Sequence, residues 1–224
     1  MREFTPIPRQ ELLLAEDWMF FVFLLCILLI TWSRFSEPGQ LRRMLNSAFN
    51  IRLMRQEMRE ETQHRYTRII YLIVFSFMAG MCIYATVRLA APSLAPDIDP
   101  ALFYLVLSAS VGLIYLGKSL VVRLISHVAA GDFSLSEYLY SLLHLNQVAG
   151  ILLLPMMLVV AYSDQKTASV VLTSAAGMLG LTLLYRWFRG VISALGNGVP
   201  MFYIFFYLCT LEILPLLVIA KAIR

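Results

Sequence analysis

The chain alternates between long apolar windows and short charged segments. Five windows contain no charged residue, and a sixth contains only Glu212. A helix needs about 20 residues to cross the ~30 Å hydrocarbon core of a bilayer. Spanning segments must be helical because an unpaired backbone amide in lipid costs several kcal/mol. The pattern therefore predicts an all-α, polytopic membrane bundle with six transmembrane helices and a cytoplasmic amphipathic helix. The predicted spans are 18–34, 69–89, 101–122, 143–162, 167–187 and 199–220.

The first span comes from the shortest window. Trp18 and Trp32 bracket it as an interfacial aromatic pair, and Arg34 can extend to the headgroups. Glu16 and Asp17 stand where a cleaved signal peptide would carry positive charge, so this helix is expected to remain in the mature protein. The alternative is a five-span protein in which this helix only lies on the membrane surface.

Basic residues are divided unevenly between the two sides of the predicted bundle. The segments after the first, third and fifth spans carry twelve of the 18 Lys and Arg residues. Because positively charged loops remain in the cytoplasm, this side is predicted to be cytoplasmic and both termini to lie outside.

Composition supports a membrane protein. The 224 residues are 60% hydrophobic and only 14% charged, whereas soluble domains are about 25% charged. These values exclude a soluble enzyme, an extracellular disulfide scaffold and a disordered chain. Cys26, Cys82 and Cys209 all lie in apolar windows, so neither a disulfide framework nor a CxxC site is predicted. Residues 1–224 are interpreted as a single integral membrane domain.

The predicted cytoplasmic loop 35–68 is rich in arginine. Together with Arg34 it carries eight Arg and four Glu, a net charge of +4 that equals the formal charge of the whole protein. Pro38-Gly39 is predicted to break the chain after the first span. Leu41, Met44 and Leu45 then recur at helical spacing, which predicts the amphipathic helix.

Two interpretations of this loop remain open. The helix could lie on anionic lipid headgroups, where each Arg contributes about 1 kcal/mol. It could also dock a cytoplasmic protein partner, because Arg and Met are both favoured at interfaces. A nucleic-acid partner is not expected, because the glutamates between the arginines would repel the phosphates of a nucleic acid. The candidate docking residues are Arg42, Arg43, Arg52, Arg55 and Arg59.

The hairpin between the third and fourth spans holds four ionisable residues. Ser134 and Glu137 fit a capping box, so the fourth helix is predicted to begin near Leu135. The spacing matches no zinc motif, and the histidines are interpreted as structural residues at membrane boundaries. No catalytic residue, metal ligand or cofactor site is predicted. The four residues are His127, Asp132, Glu137 and His144.

Glu212 is the only ionisable residue well inside a predicted span. A charge at the bilayer centre costs about 3 kcal/mol, so such residues face the bundle interior and are paired or protonated. Pro155 and Pro215 interrupt two spans at similar depth, a pattern that points to a membrane binding site. One hypothesis is a polar cavity lined by Glu212 and Thr210, with Arg88 the nearest basic residue in depth. The alternative is that Glu212 ties helices together and both prolines are ordinary kinks.

Two small-residue motifs predict close helix contacts. Ser108 and Gly112 form one, and Ala176 and Gly180 form the other. Small residues at this spacing let neighbouring backbones approach closely.

The final apolar window carries a specific sequence run. Residues 200–215 read PMFYIFFYLCTLEILP, and Gly131-Asp132-Phe133 occurs earlier. With these features the chain resembles an uncharacterised multi-spanning inner-membrane family, a domain of unknown function, of the Bacteroidota. The resemblance covers most of the chain. It implies a Gram-negative inner membrane, with both termini in the periplasm, and no established activity.

Three function classes follow, in order of preference. A non-enzymatic subunit or scaffold of a membrane complex explains the Arg-rich helix and the missing catalytic motifs. A small-solute or ion-coupled transporter explains Glu212 and the two proline kinks. A lipid-modifying enzyme would need a reactive constellation, for which only the four hairpin residues are available. The sequence carries no signal for oligomeric state.

Overall fold

The computed structural model describes residues 16–49, 65–90, 92, 98–128 and 133–196, and this part of the chain holds six helices and no strand. All of these helices except the second are long and apolar enough to cross a membrane. The all-helical class is therefore confirmed, together with five helices that could span. The sixth predicted span, 199–220, lies outside the described residues. The helices are α1 (Asp17–Ser36), α2 (Gln40–Phe49), α3 (Arg65–Ala90), α4 (Pro100–Val128), α5 (Phe133–Tyr162) and α6 (Gln165–Gly196).

Several helices continue past the predicted spans. α4 runs on to Val128, and α5 begins at Phe133, two residues before the predicted start at Leu135. α5 also continues through Pro155 to Tyr162. An apolar window marks only the uncharged part of a helix, whereas the helix itself continues into amphipathic sequence until a turn ends it.

A short turn joins α1 to α2. The Glu37 amide donates a hydrogen bond to the Ser33 carbonyl (3.0 Å), which closes the end of α1. Gly39 has a φ of +96°, a left-handed conformation that favours glycine, and its carbonyl accepts from the Arg43 amide (3.0 Å). The predicted chain break at Pro38-Gly39 is confirmed.

The turn between α5 and α6 is closed by Asp164. Its carboxylate accepts hydrogen bonds from the Thr167 hydroxyl (2.7 Å) and the Thr167 amide (3.3 Å). This is the N-cap arrangement that satisfies the free amides at a helix start. The Thr167 hydroxyl and then the Thr167 amide lower the pKa of Asp164 from its ordinary value of 3.8 because they stabilise the charged carboxylate.

α3 and α5 form the centre of the bundle. About 61% of the membrane-length window of α3 and 56% of that of α5 are buried, against 17–22% for α1, α4 and α6. Gly150 of α5 lies against Phe75 of α3, and further along both helices Met157 lies beside Met81. Residue numbers increase in the same direction along both helices from the first contact to the second, so α3 and α5 are parallel.

The outer helices run antiparallel to their neighbours. α1 lies along α3 with Trp18 beside Tyr84 and Ser33 beside Tyr71. On α4, Tyr104 donates a hydrogen bond to the Phe77 carbonyl (3.3 Å). Successive long helices therefore alternate in direction. We call the end where α1 begins the Glu16 end, and the opposite end, where α1 meets α2 and where α5 begins, the His144 end.

One of the two predicted small-residue motifs forms a helix contact. A Cβ on Gly112 would lie 3.3 Å from Ser76 Oγ, and a Cβ on Gly80 would lie 2.8 Å from Ser108 Cα. The α3–α4 contact predicted at Ser108 and Gly112 is confirmed.

The second motif points away from the bundle described here. Ala176 is exposed, and a Cβ on Gly180 would meet no described atom within 4 Å. α6 is rotated about its axis so that a different face, with Ala168, Leu172 and Ala175, is buried against the other helices. Among residues 16–49, 65–90, 98–128 and 133–196 nothing contacts this motif, and the close helix contact expected at Ala176 and Gly180 stays a prediction.

Candidate functional site

A buried polar contact holds α2 against the beginning of α5. Ser47 Oγ on α2 and His144 Nε2 on α5 are 2.8 Å apart, and both side chains are buried. The carbonyl of Met44 lies 3.0 Å from the same imidazole nitrogen and accepts a hydrogen bond from Ser47 Oγ at 3.1 Å. The imidazole is therefore bonded to both a side chain and the backbone of α2, which fixes the position of this short helix.

Apolar packing surrounds this contact. Met44 is buried against Tyr71 of α3 and against Leu145 and Val148 of α5. Leu41 also packs against this group. The apolar side of α2 is thus covered by protein over the part that the structure describes.

The opposite side of α2 carries positive charge. Arg42 and Arg43 are both exposed. The other candidate docking residues, Arg52, Arg55 and Arg59, lie outside the described residues. The arrangement presents at least the first two arginines of the loop on a helix whose position is fixed by the bundle.

Arg88, a candidate for the intramembrane site, lies in a polar and aromatic cluster at the Glu16 end. Its Nε donates a hydrogen bond to the Tyr84 hydroxyl (3.2 Å), and its guanidinium carbon is 5.5 Å from the centre of the Tyr84 ring. The Tyr84 hydroxyl donates to Glu16 Oε1 (3.0 Å), and the Trp18 indole donates to the other carboxylate oxygen. One tyrosine thus connects an acid on the chain before α1 to a base near the end of α3.

Aromatic stacking reinforces this cluster. The Trp18 ring stacks on Tyr104 of α4 with centroids 4.9 Å apart and meets Tyr84 edge-on at 5.6 Å. Such pairs contribute roughly 0.5–1.5 kcal/mol each beyond their buried area. Trp18, interpreted from sequence as an interfacial anchor, therefore also joins three helices.

The other candidate intramembrane residues fall in different places. Pro155 is exposed on α5, on the same face as Leu152 and Val159. Glu212, Thr210 and Pro215 lie outside the described residues, and the polar cavity that would contain them stays a prediction.

The hairpin residues form no metal site in the part of the chain that the structure describes. Within the ranges that the structure describes, no three His, Cys, Asp or Glu side chains lie close enough together to hold a metal ion. His144 is a packing residue bonded to α2. Asp132 and the side chains of His127 and Glu137 fall outside the described part of the chain.

Sequence reasoning missed the pairing of Ser47 with His144. The two residues are 97 positions apart, and no local pattern connects them. One signal was available, because Ser47 lies three residues after Met44 on the apolar stripe of α2. A polar side chain at such a position needs a buried hydrogen-bond partner.

Comparison with known proteins gives one match. The family model described as "Domain of unknown function (DUF4271)" matches residues 19–223. No curated protein and no solved structure matches the chain.

Proposed function

Because the chain belongs to the DUF4271 family of unknown function, we propose that it is an integral membrane protein that serves as a non-enzymatic subunit or scaffold of a membrane complex. It docks a partner through the Arg-rich segment that begins with α2. Five helices that could each cross a bilayer support its placement in a membrane.

The contact between Ser47 and His144 is the observation that carries this proposal. The 2.8 Å contact between Ser47 Oγ and His144 Nε2 holds α2 on α5, and Arg42 and Arg43 remain exposed on the other side of α2. A binding surface that is fixed before the partner arrives loses less conformational entropy on association. A free amphipathic helix would instead use its apolar side to enter the lipid, but here that side is buried in protein.

The sidedness of the proposal follows from charge. The His144 end of the bundle contains α2 and the first residues of α3 and α5. The arginine-rich segment connects α2 to α3, so both of its termini are attached at this end. Because basic loops are retained in the cytoplasm, we assign this end to the cytoplasm and both termini to the periplasm of a Gram-negative inner membrane. The resemblance to a family of the Bacteroidota supports this compartment.

The partner that fits this surface is a protein with an acidic face. Charge complementarity raises the association rate and fixes the orientation of the complex. Anionic lipid headgroups contact the same arginines from the membrane side. We expect the protein partner to lose affinity when the charge of α2 is reversed.

Purification from native membranes in mild detergent, followed by mass spectrometry of co-purifying chains, tests this function. The Arg42→Glu variant should recover much less of a stoichiometric partner than wild type. Lys166→Glu is the matched control because Lys166 is an exposed base at the Glu16 end. A wild-type protein that purifies without any partner would overturn the proposal, as would equal recovery with both variants.

A further inference from the structure

Arg186 is a charged side chain enclosed by protein. It lies within the membrane-length window of α6 and is only 2% exposed, and its Nε and Nη1 atoms are buried. Arg186 follows Ala168 by about five helical turns and Ala175 by about three, so it shares the inward face of α6 with these two buried alanines. A buried guanidinium is costly unless a carboxylate compensates its charge. We therefore expect an acidic side chain at the same depth in the bundle.

The turn at Asp164 gives the depth of Arg186. α5 and α6 run antiparallel on either side of this turn, and Arg186 follows Asp164 by about as many residues as His144 precedes it. Arg186 therefore lies at the His144 end of the bundle. Four of the described carboxylates belong to the opposite end, about 30 Å away along the bundle axis at 1.5 Å per residue. They are Glu16, Asp17, Asp99 and Asp164.

The end of α6 determines where the next segment of the chain begins. α6 ends at Gly196, and Asn197, Gly198 and Pro200 follow in the sequence. Gly and Asn are typical of helix ends, and Pro is typical of the first turn of a helix. So short a connection joins antiparallel helices that pack side by side. The final apolar window, which lies outside the described residues, is therefore expected to run back along α6 from the His144 end.

This expected course brings Glu212 to the depth of Arg186. Arg186 precedes Gly198 by twelve residues, and Glu212 follows Gly198 by fourteen. On paired antiparallel helices this difference corresponds to about 3 Å along the axis, which the two long side chains can span. Charged side chains within a membrane turn away from lipid and toward the bundle interior, the direction that Arg186 already takes.

We propose that Glu212 forms an ion pair with Arg186 and so fixes the final apolar window against α6. The carboxylate accepts hydrogen bonds from the guanidinium, whose five donors leave room for other contacts of Arg186. Arg88, the base associated with Glu212 by depth in the sequence, is bonded to the Tyr84 hydroxyl at the Glu16 end. The ion pair favours the interpretation in which Glu212 ties helices together over a transport cavity. This inference rests on the membrane placement given in the proposed function.

A double-mutant cycle tests the pair, with thermal unfolding of the full-length protein in mild detergent as the measurement. Arg186→Gln and Glu212→Gln should each lower the unfolding midpoint by about 5–15 °C, because each leaves one buried charge without its counter-charge. The double variant should unfold at a temperature no lower than either single variant. Additive losses would overturn the proposal, and so would a Glu212→Gln midpoint equal to that of wild type.

Two rival carboxylates enter the same cycle. Glu37 follows α1 and Glu137 lies in the first turns of α5, so both belong to the His144 end. Coupling of Arg186→Gln to Glu37→Gln or Glu137→Gln, in place of Glu212→Gln, would assign Arg186 to that residue and overturn the pairing. Arg88→Gln is the matched control, since its loss should simply add to that of Glu212→Gln.

A proximity measurement keeps the proposal testable where a charge variant fails to fold. In a cysteine-free background, Leu183→Cys and Leu216→Cys place thiols about one turn from Arg186 and Glu212 while both charges remain. A short bifunctional thiol reagent should link the two positions, and mass spectrometry should detect the linked peptides. The control pair is Leu89→Cys, at the Glu16 end, with Leu216→Cys, and it should stay unlinked. Linkage of the control pair alone would overturn the proposal.

The outcomes for this inference and for the proposed function are distinct. A protein that fractionates with membranes but shows additive losses for Arg186→Gln and Glu212→Gln contradicts only the ion pair. A protein that does not fractionate with membranes contradicts the proposed function.

Discussion

Gly150 of α5 lies directly against the backbone of Phe75 in α3. A Cβ atom on Gly150 would come within 2.6 Å of Phe75 Cα and 2.9 Å of Phe75 N. Backbone atoms cannot move aside as a flexible side chain can. The two central helices therefore touch at a point where only glycine fits.

Replacement of Gly150 should destabilise the bundle. We expect Gly150→Ala to force α3 and α5 apart and to lower stability by about 1–3 kcal/mol, the usual cost of overpacking a core. The midpoint of thermal unfolding in detergent measures this loss. Gly177→Ala is the control, because a Cβ there meets no described atom within 4 Å. If Gly150→Ala and Gly177→Ala unfold at the same temperature, the close contact between α3 and α5 is contradicted.

The contact between Ser47 and His144 should control how firmly α2 is held. Ser47→Ala removes one partner of a buried imidazole, at a cost of about 1–3 kcal/mol. Hydrogen exchange of the backbone amides in 40–49 should become faster, while exchange in α3 stays unchanged. Ser110→Ala is a matched control, since the exposed Ser110 hydroxyl only donates to the Val106 carbonyl of its own helix. Unchanged exchange of α2 in Ser47→Ala would refute this role.

The Tyr84 hydroxyl should couple Glu16 to Arg88. Tyr84→Phe keeps the ring packed against Trp18 but removes the group that bonds to both charges. We expect a loss of about 1.5–3 kcal/mol, the range for hydrogen bonds to charged groups. A thermal double-mutant cycle with Glu16→Gln measures the coupling.

Two results decide the role of this hydroxyl. The losses from Glu16→Gln and Tyr84→Phe should be far from additive, because the residues share one hydrogen bond. Strict additivity would show that the contact contributes nothing to stability. Tyr162→Phe, at the same end of the bundle but exposed, should leave the unfolding temperature unchanged.

Asp164 should make the start of α6 sensitive to acid. Its pKa is lower in the folded protein because Thr167 donates to the charged carboxylate, so the charged form stabilises the fold. This contribution is complete above the ordinary value of 3.8 and is lost as the pH falls through the lowered folded pKa. Asp164→Asn should therefore unfold at a lower temperature than wild type at neutral pH, and the difference should vanish in acid.

The Thr167→Val background isolates this effect. Without the hydroxyl donor, the loss of stability caused by Asp164→Asn should be smaller at neutral pH. If Asp164→Asn lowers the unfolding temperature by the same amount at every pH when Thr167 is present, the assigned cause is contradicted.

The long helices could be predicted from the apolar windows. Lipid offers no hydrogen-bond partners, so an apolar segment of this length must satisfy its backbone groups within a helix. The same windows could not predict where α4 and α5 end, since both helices continue into amphipathic sequence. Spacing also identified Ser108 and Gly112 as contact residues. It could not show that α6 turns the face of Ala168, Leu172 and Ala175 toward the described helices rather than the face of Ala176 and Gly180, because small residues show only that a close approach is possible.

The candidate site was less accessible to prediction. Positive charge singled out Arg42 and Arg43 because charge is a property of each residue alone. The fixing of α2 depends on Ser47 and His144, which lie on different helices 97 positions apart in the sequence. Arg88 was associated with Glu212 by depth, whereas its contact with Tyr84 arises from a single turn of its own helix and its link to Glu16 from the approach of α1.

The parallel pairing of α3 with α5 has a consequence for biogenesis. The ribosome completes α3 well before Gly150 has been synthesised, so the face that carries Phe75 waits uncovered for its partner helix. The contact between α3 and α5 therefore forms late. A nascent chain that stalls between α4 and α5 leaves α3, the most buried helix of the described bundle, without its central partner.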